Sequence, residues 1–144
     1  MKHVKLIICL DDKNGMAFNK RRQASDCAVT KDIVEMIGKH KLYITSYTKQ
    51  LFEVKNRIIV SEKPFQRAGK EDFVFVENEP VNPADNQIST LIVYRWNRRY
   101  PADIFFHLDK EWQFVSSLDF PGHSHEKITK EIYTRTERKN EIYE

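Results

Sequence analysis

Two clusters of basic, polar and aromatic side chains carry most of the chemistry that this sequence offers. The first is the run Arg95-Trp96-Asn97-Arg98-Arg99-Tyr100. A guanidinium group is a planar fork that binds phosphate or carboxylate, and an indole face is a surface on which a base stacks. The run therefore predicts a site for an anion or a nucleotide-like ligand, with contacts from Arg95, Trp96, Asn97 and Arg98. In the alternative interpretation, its aromatic rings plug the end of a sheet and its arginines pair with neighbouring acids.

The second cluster follows the first apolar run of the chain and comprises Asn19, Lys20, Arg21, Arg22 and Gln23. Two opposed basic loops would concentrate a negatively charged ligand between them. We therefore predict ligand contacts from Asn19, Arg21, Arg22 and Gln23, with a solvated basic loop as the alternative.

Asp26 lies just beyond this cluster, at the start of a predicted helix. Its carboxylate either hydrogen-bonds an amino or ring nitrogen of the ligand, as a proton-handling catalytic group, or favours the helix N-terminus electrostatically. Both interpretations place the side chain at the same end of the predicted sheet.

The run His123-Ser124-His125-Glu126 has the only spacing that resembles a metal site. Two histidines two positions apart in a strand would face the same way, but a zinc site needs a third ligand, and none stands at a telling distance. We therefore predict no metal. The favoured interpretation is that one histidine caps a turn beside Gly122 and the other packs or hydrogen-bonds across the sheet.

The elements that must position these groups begin with a nearly unbroken apolar strand over residues 4–10. A helix follows, because Val29, Ile33, Met36 and Ile37 share one face, with Ser25 or Thr30 as its cap and Gly38 at its end. The pattern further predicts strands over residues 41–45, 57–61, 72–76 and 89–94, and short helices over residues 46–52 and 62–69. This alternation of strands and helices predicts parallel pairing with right-handed crossovers.

The alternation of strands and helices ends in the last third of the chain. Residues 103–108, 112–118 and 127–135 are strand-like and have no room for helices between them. Short connections favour antiparallel strands at the sheet edge. We predict a single domain over residues 1–135 and a charged tail over residues 136–144.

The composition is that of an ordinary folded protein. Of the 144 residues, 40% are hydrophobic and 31% charged, which excludes a disordered chain, and the net charge of +3 is too small to imply nucleic-acid binding by itself. No run approaches the roughly 20 apolar residues of a membrane span. Cys9 and Cys27 fall in predicted elements, which indicates small core side chains and no disulfide framework. The first apolar run lacks the small-residue cleavage site of a secretory signal peptide. A cytoplasmic protein is therefore expected.

Several stretches resemble the dihydrofolate reductase family over almost the whole chain. The resemblance rests on residues 6–10, on Asn14-Gly15-Met16, on Asp26 and on residues 55–61, and it continues through the strands after residue 103. It implies an α/β fold with a mostly parallel central sheet, antiparallel C-terminal strands and flanking helices. It also implies that Asp26 is the carboxylate that contacts the pteridine ring in that family.

The family's cofactor motifs are replaced. The family's Gly-Arg-x-Thr aligns with Thr45-Ser46-Tyr47-Thr48, its Gly-Gly pair with Tyr94-Arg95-Trp96-Asn97, and its Trp-Asn-Leu-Pro with residues 20–24. These departures argue against hydride transfer from a nicotinamide bound in the family manner. They predict a reductase scaffold with a rebuilt crevice, to which Ser46 and Tyr47 also contribute.

We therefore expect a small anionic or nucleotide-like ligand in the crevice at the ends of the first and fifth strands. The pattern fits both an enzyme that uses Asp26 and a pseudoenzyme, and it indicates no particular cofactor. The alternative is an RNA-binding or RNA-processing protein of the ribonuclease type, using the same basic and aromatic loops. Residues 95–103 and 124–133 are also similar to short uncharacterised Firmicute proteins, some of them labelled ribonuclease Z. A protein-interaction module that uses the edge of the C-terminal strands is a third hypothesis.

Overall fold

The described part of the chain contains ten strands and three helical segments. The computed structural model describes residues 3–53 and 57–135. The strands are β1 (Val4–Leu10), β2 (Gly15–Phe18), β3 (Arg21–Arg22), β4 (Leu42–Ile44), β5 (Ile58–Val60), β6 (Phe73–Phe75), β7 (Ile88–Arg95), β8 (Ile104–Phe105), β9 (Trp112–Phe120) and β10 (Ile128–Arg135). The helices are α1 (Cys27–Ile37) and α2 (Pro64–Arg67), and Thr48–Leu51 forms a 3₁₀ helix. The predicted charged tail lies outside the described residues.

The main sheet has seven strands in the order β5-β4-β6-β1-β7-β10-β9. Its first five strands are parallel, and β10 and β9 continue it in antiparallel fashion. The predicted fold class is therefore confirmed. Since the five strands are parallel, their carboxyl ends lie at one edge, where open α/β sheets bind ligands.

Strand β1 is nearly all apolar because both of its faces are covered. Leu6, Ile8 and Leu10 belong to the core on one face, and Ile7 belongs to the core on the other. Helix α1 covers this second face with Val29, Ile33 and Ile37, which recur at helical spacing. We refer to this side of the sheet as the helix face.

The start of α1 differs from the prediction. Asp26, rather than Ser25 or Thr30, is the N-cap, and its side chain accepts a hydrogen bond from the backbone N–H of Ala28. The predicted end of the helix is confirmed, because Gly38 has a φ of 55°, which glycine adopts without steric cost.

The two cysteines have different environments. Cys9 packs against the helix-face core, as predicted. Cys27 is exposed, so its predicted place in the core is wrong.

Residues 15–22, which the sequence predicts as part of a loop, form the hairpin β2–β3. Asn19 and Lys20 have φ values of 51° and 63°, and Phe18 pairs directly with Arg21, as in a two-residue turn. The predicted strand over residues 103–108 is reduced to β8, which pairs with β2 and not with the edge of the main sheet. These strands form a separate sheet in the order β3-β2-β8. Within the described residues, no helix is both long and apolar enough to span a membrane.

Candidate functional site

The segments that leave β1 and β7 meet at one edge of the sheet. Leu10 and Arg95 are register partners at the ends of these strands. Beyond them, the backbone N–H of Trp96 donates to the carbonyl of Leu10 at 3.1 Å, and that of Asp12 donates to the carbonyl of Arg98 at 2.9 Å. The two loops on which the sequence places the chemistry are therefore neighbours.

A cavity of about 440 Å³ lies between these loops. Its walls come from both loops and from the small sheet, through Asp11, Lys13, Arg99, Tyr100, Pro101, Ala102 and Phe105. We call it the loop cavity. Its volume is within the range of small-molecule sites.

Asp11 ties the loops together beneath the loop cavity. Its carboxylate is buried and accepts the backbone N–H groups of Lys13, Gly15 and Tyr100 and the amide of Gln23. Burial alone would raise the pKa of Asp11, but these donors together lower it. Asp11 is not among the site residues predicted from the sequence. Its position directly after a buried strand and four residues before a glycine is nevertheless a turn signal.

Arg95, a predicted ligand contact, is turned away from the loop cavity. Its Nε donates to Oε1 of Glu131 at 2.9 Å, and its Nη1 donates to Asn14 and to the carbonyl of Asp11. The guanidinium therefore joins β7, β10 and the loop after β1. This matches the alternative interpretation, in which the arginine pairs with a neighbouring acid.

Trp96, Asn97 and Arg98 have different environments. Trp96 is 3% exposed and stacks on the imidazole of His125, with ring centroids 4.6 Å apart. Asn97 has a φ of 58°, and its amide donates to Lys127 and Thr129 at the start of β10. Arg98 is exposed at the tip of the loop. Of these three predicted contacts, Trp96 is buried, Asn97 is exposed but bound to the start of β10, and Arg98 is exposed next to Arg99 of the cavity wall.

The carboxylate of Asp26 is the centre of a buried polar cluster. It accepts the backbone N–H groups of Ala28, His123 and Ser124, the hydroxyl of Ser124 and Nδ1 of His125. Burial would raise the pKa of Asp26, but the His123 N–H, the His125 imidazole and the other donors lower it well below its usual value. The side chain has no exposed surface. Its first role is thus structural, and its catalytic role stays a prediction.

His125 connects this cluster to the loop cavity. Its Nε2 lies 2.9 Å from the hydroxyl of Tyr100, whose residue lines the loop cavity. His123 contributes its backbone N–H and is exposed. Neither histidine lies in a strand, and no group of three metal-ligating side chains occurs among residues 3–53 and 57–135.

Gly122 gives the Asp26 cluster the space that it needs. A Cβ added there would lie 2.7 Å from Oδ2 of Asp26 and 2.7 Å from the carbonyl of His125. We expect Gly122→Ala to lower the free energy of unfolding by about 1–3 kcal/mol, because the turn must shift and loosen the carboxylate contacts. Urea unfolding measures this, with Gly69→Ala as the control, since a Cβ at Gly69 meets its nearest neighbour at 3.4 Å. Equal stability of the two variants would contradict the expectation.

A second polar cluster holds Arg22 and Tyr47. The guanidinium of Arg22 forms two bonds to Glu77, at 2.7 and 2.9 Å, and lies 4.3 Å from the centroid of the Tyr47 ring. The hydroxyl of Thr48 also donates to Glu77 at 2.8 Å. Glu77 and Thr48 were not predicted as site residues. Because Glu77 and Arg22 are 55 residues apart in the sequence, no local pattern predicts their pairing.

The remaining predicted contacts are dispersed. Asn19 donates its backbone N–H to Asp103, Arg21 is exposed in β3, and Ser46 donates to Glu62 through its N–H and hydroxyl. The Nε2 of Gln23 donates to Asp11, whereas its Oε1 is buried without a partner among the described residues. The predicted set therefore does not form one site.

A smaller cavity of about 240 Å³ lies farther along the same edge, beyond β4, β5 and β6. Its polar wall includes Glu62, Glu77 and Glu79 against Lys63. This excess of carboxylates is unfavourable to an anion. The loop cavity has two cations, Lys13 and Arg99, against the single carboxylate of Asp11, and so carries an excess of positive charge.

The comparisons with known proteins concern the fold. No protein-family model matches the chain, and no curated protein matches it by sequence. Among solved structures, it is similar to dihydrofolate reductase from Enterococcus faecalis, complexed with NADP(H) and RAB-propyl, with a TM-score of 0.64 and 12% identity. The match covers 94% of this chain and 97% of that reductase. The chain therefore has the dihydrofolate reductase-like fold that its sequence predicts.

Proposed function

We propose that this protein binds a small anionic, nucleotide-like ligand in the loop cavity. The observation that carries the proposal is a cavity of suitable size with two exposed cations, Lys13 and Arg99, on its wall. Neither side chain forms a salt bridge or a hydrogen bond within residues 3–53 and 57–135. Both are therefore available to a phosphate or a carboxylate.

An aromatic surface completes the proposed site. Phe105 lines the loop cavity and is 54% exposed. A large exposed aromatic ring at a cavity wall is typical of a binding surface, and a base or another flat ring stacks on it favourably. In the proposed arrangement, the ring of the ligand packs on Phe105 and its anionic group lies toward Lys13 and Arg99, with Arg98 nearby.

On the helix face, Tyr94 and Trp96 stand in the segment that aligns with the Gly-Gly pair of the family that the sequence resembles. Tyr94 is fully buried there, and its hydroxyl donates to Asp32. The solved reductase is complexed with NADP(H). For this chain we propose a nucleotide-like ligand held by different residues, and no observation among the described residues favours the RNA alternative.

Titration with AMP and NADPH, followed by tryptophan emission, tests this proposal. Trp96 stacks on His125, which contacts Tyr100 at the cavity wall, so ligand binding is expected to change its emission. We expect the double variant Lys13→Ala/Arg99→Ala to bind at least about tenfold more weakly, because two charge-assisted hydrogen bonds are lost.

The matched control is Lys39→Ala/Arg67→Ala, which removes the same charges at exposed positions away from the loop cavity. It is expected to bind as the unchanged protein does. The proposal is wrong if neither nucleotide binds, or if both double variants lose the same affinity. Salt-sensitive binding of single-stranded RNA without binding of either nucleotide would favour the RNA alternative.

A further inference from the structure

We propose that Asp26, His125 and Tyr100 form a proton relay, in which the hydroxyl of Tyr100 acts as a general base on the ligand in the loop cavity. The inference rests on the ligand site proposed above. Its elements are the contact of Asp26 with Nδ1 of His125 at 2.9 Å and the contact of Nε2 with the Tyr100 hydroxyl at 2.9 Å. These two contacts connect the buried cluster to a residue that lines the loop cavity.

The direction of the hydrogen bonds follows from the partners of His125. The carboxylate of Asp26 is ionised, because its donors hold it so, and an ionised carboxylate only accepts. In the proposed resting state the imidazole is neutral, so Nδ1, which faces this carboxylate, carries its one hydrogen. In that state Nε2 has a lone pair, and the Tyr100 hydroxyl donates to it. A phenol that donates to an imidazole nitrogen has a direct path along which its proton can pass to that nitrogen.

The surroundings hold the imidazole in this orientation. His125 is 7% exposed, and its ring lies between Asp26 on one side and Tyr100 on the other, stacked on Trp96 at an interplanar angle of 22°. The imidazole ring therefore has little room to rotate. Two buried groups of such fixed geometry cost less to reorganise during a proton transfer than solvated ones do.

The proton transfer balances without a further reactant. An N–H or O–H bond of the ligand breaks as its proton passes to Oη of Tyr100, while the proton of Tyr100 passes to Nε2 of His125. The products are a ligand anion and an imidazolium that is paired with Asp26. This arrangement resembles the histidine and aspartate of a hydrolase triad, with tyrosine as the group in contact with the ligand. The ligand class is an anionic, nucleotide-sized molecule with a dissociable proton.

The tautomer of His125 in the unchanged protein provides the first test. Nitrogen-15 NMR of the imidazoles at neutral pH is expected to show a protonated Nδ1 and an unprotonated Nε2 for His125. A hydrogen on Nε2, in either a neutral or a doubly protonated ring, would overturn the relay, because Tyr100 would then be an acceptor. This readout requires neither a ligand nor a variant.

Covalent labelling with 4-(fluorosulfonyl)benzoate provides the second test. Oη of Tyr100 attacks the sulfur, fluoride leaves, and the phenol proton passes to His125, which gives a sulfonate ester that mass spectrometry locates. We expect Tyr100 to be labelled at least about tenfold faster than Tyr47, whose hydroxyl accepts the N–H of Arg22 and has no imidazole partner. His125→Gln is expected to reduce the rate at Tyr100 to that of Tyr47, and Tyr100→Phe to abolish this label.

Labelling of Tyr100 at the rate of Tyr47, or a rate that His125→Gln leaves unchanged, would overturn the inference. These outcomes are separate from the nucleotide titration. Nucleotide binding without a reactive Tyr100 would refute the relay alone, whereas a reactive Tyr100 without nucleotide binding would refute the proposed ligand.

Discussion

Asp26→Ala is expected to lower the free energy of unfolding by about 3–5 kcal/mol at neutral pH. The substitution leaves the N–H groups of Ala28, His123 and Ser124 and the imidazole of His125 without their acceptor. Each buried donor that loses its partner costs about 1–3 kcal/mol. Urea unfolding followed by circular dichroism measures the change.

Glu35→Gln is the control for this variant, because it removes a carboxylate from an exposed position of the same helix. It is expected to change stability by less than about 0.5 kcal/mol. A similarly small effect of Asp26→Ala would show that the buried carboxylate does not organise the loop over residues 121–125.

The contribution of Asp26 should also depend on pH. The pKa of Asp26 is lowered in the folded protein, so the contribution is fully present above the ordinary carboxyl pKa of 3.8 and is lost as the pH falls toward the folded value. The stability difference between Asp26→Ala and the unchanged protein is therefore expected to shrink below about pH 4.

The second large effect is expected at Glu77. Glu77→Gln is expected to destabilise the protein by about 3 kcal/mol, because it leaves the guanidinium of Arg22 largely buried without its carboxylate. The side chains of Glu77 and Arg22 are 5% and 18% exposed, so water compensates little for the loss. Thr48 loses a charged acceptor as well. Chemical unfolding again provides the measurement.

A double-mutant cycle separates the pair from other effects. Arg22→Met removes the guanidinium, and in its presence Glu77→Gln is expected to cost at least about 1.5 kcal/mol less than it does alone. Strict additivity would mean that the observed bonds contribute nothing to stability. It would also mean that the contact between Arg22 and Glu77 does not hold β3 against the segment that follows β6.

The main elements of the fold are predictable because their signals are local. Strand β1 is an apolar run bounded by charge, and α1 repeats Val29, Ile33 and Ile37 at helical spacing before Gly38. The small sheet is not predictable from local signals. Its turn, Asn19-Lys20, lacks glycine, and β2 pairs with β8, which is distant from it in the sequence. Two-residue strands such as β3 and β8 have no periodicity to detect.

The candidate site is predictable to the level of the loops and not of the side chains. The loops that follow β1 and β7 are neighbours at the carboxyl edge of the sheet, because these two strands are adjacent and parallel. Arg22, Arg95 and Asp26, however, find partners at Glu77, Glu131 and residues 123–125. A charge count cannot distinguish these paired groups from Lys13 and Arg99, because the partners are distant in sequence.

Amide chemical-shift mapping with AMP tests the central claim most directly. If the ligand occupies the loop cavity, the largest shifts are expected at Lys13, Arg99, Tyr100, Ala102 and Phe105. Shifts confined to residues 76–81, which border the smaller cavity, or no shifts at millimolar AMP, would contradict the account.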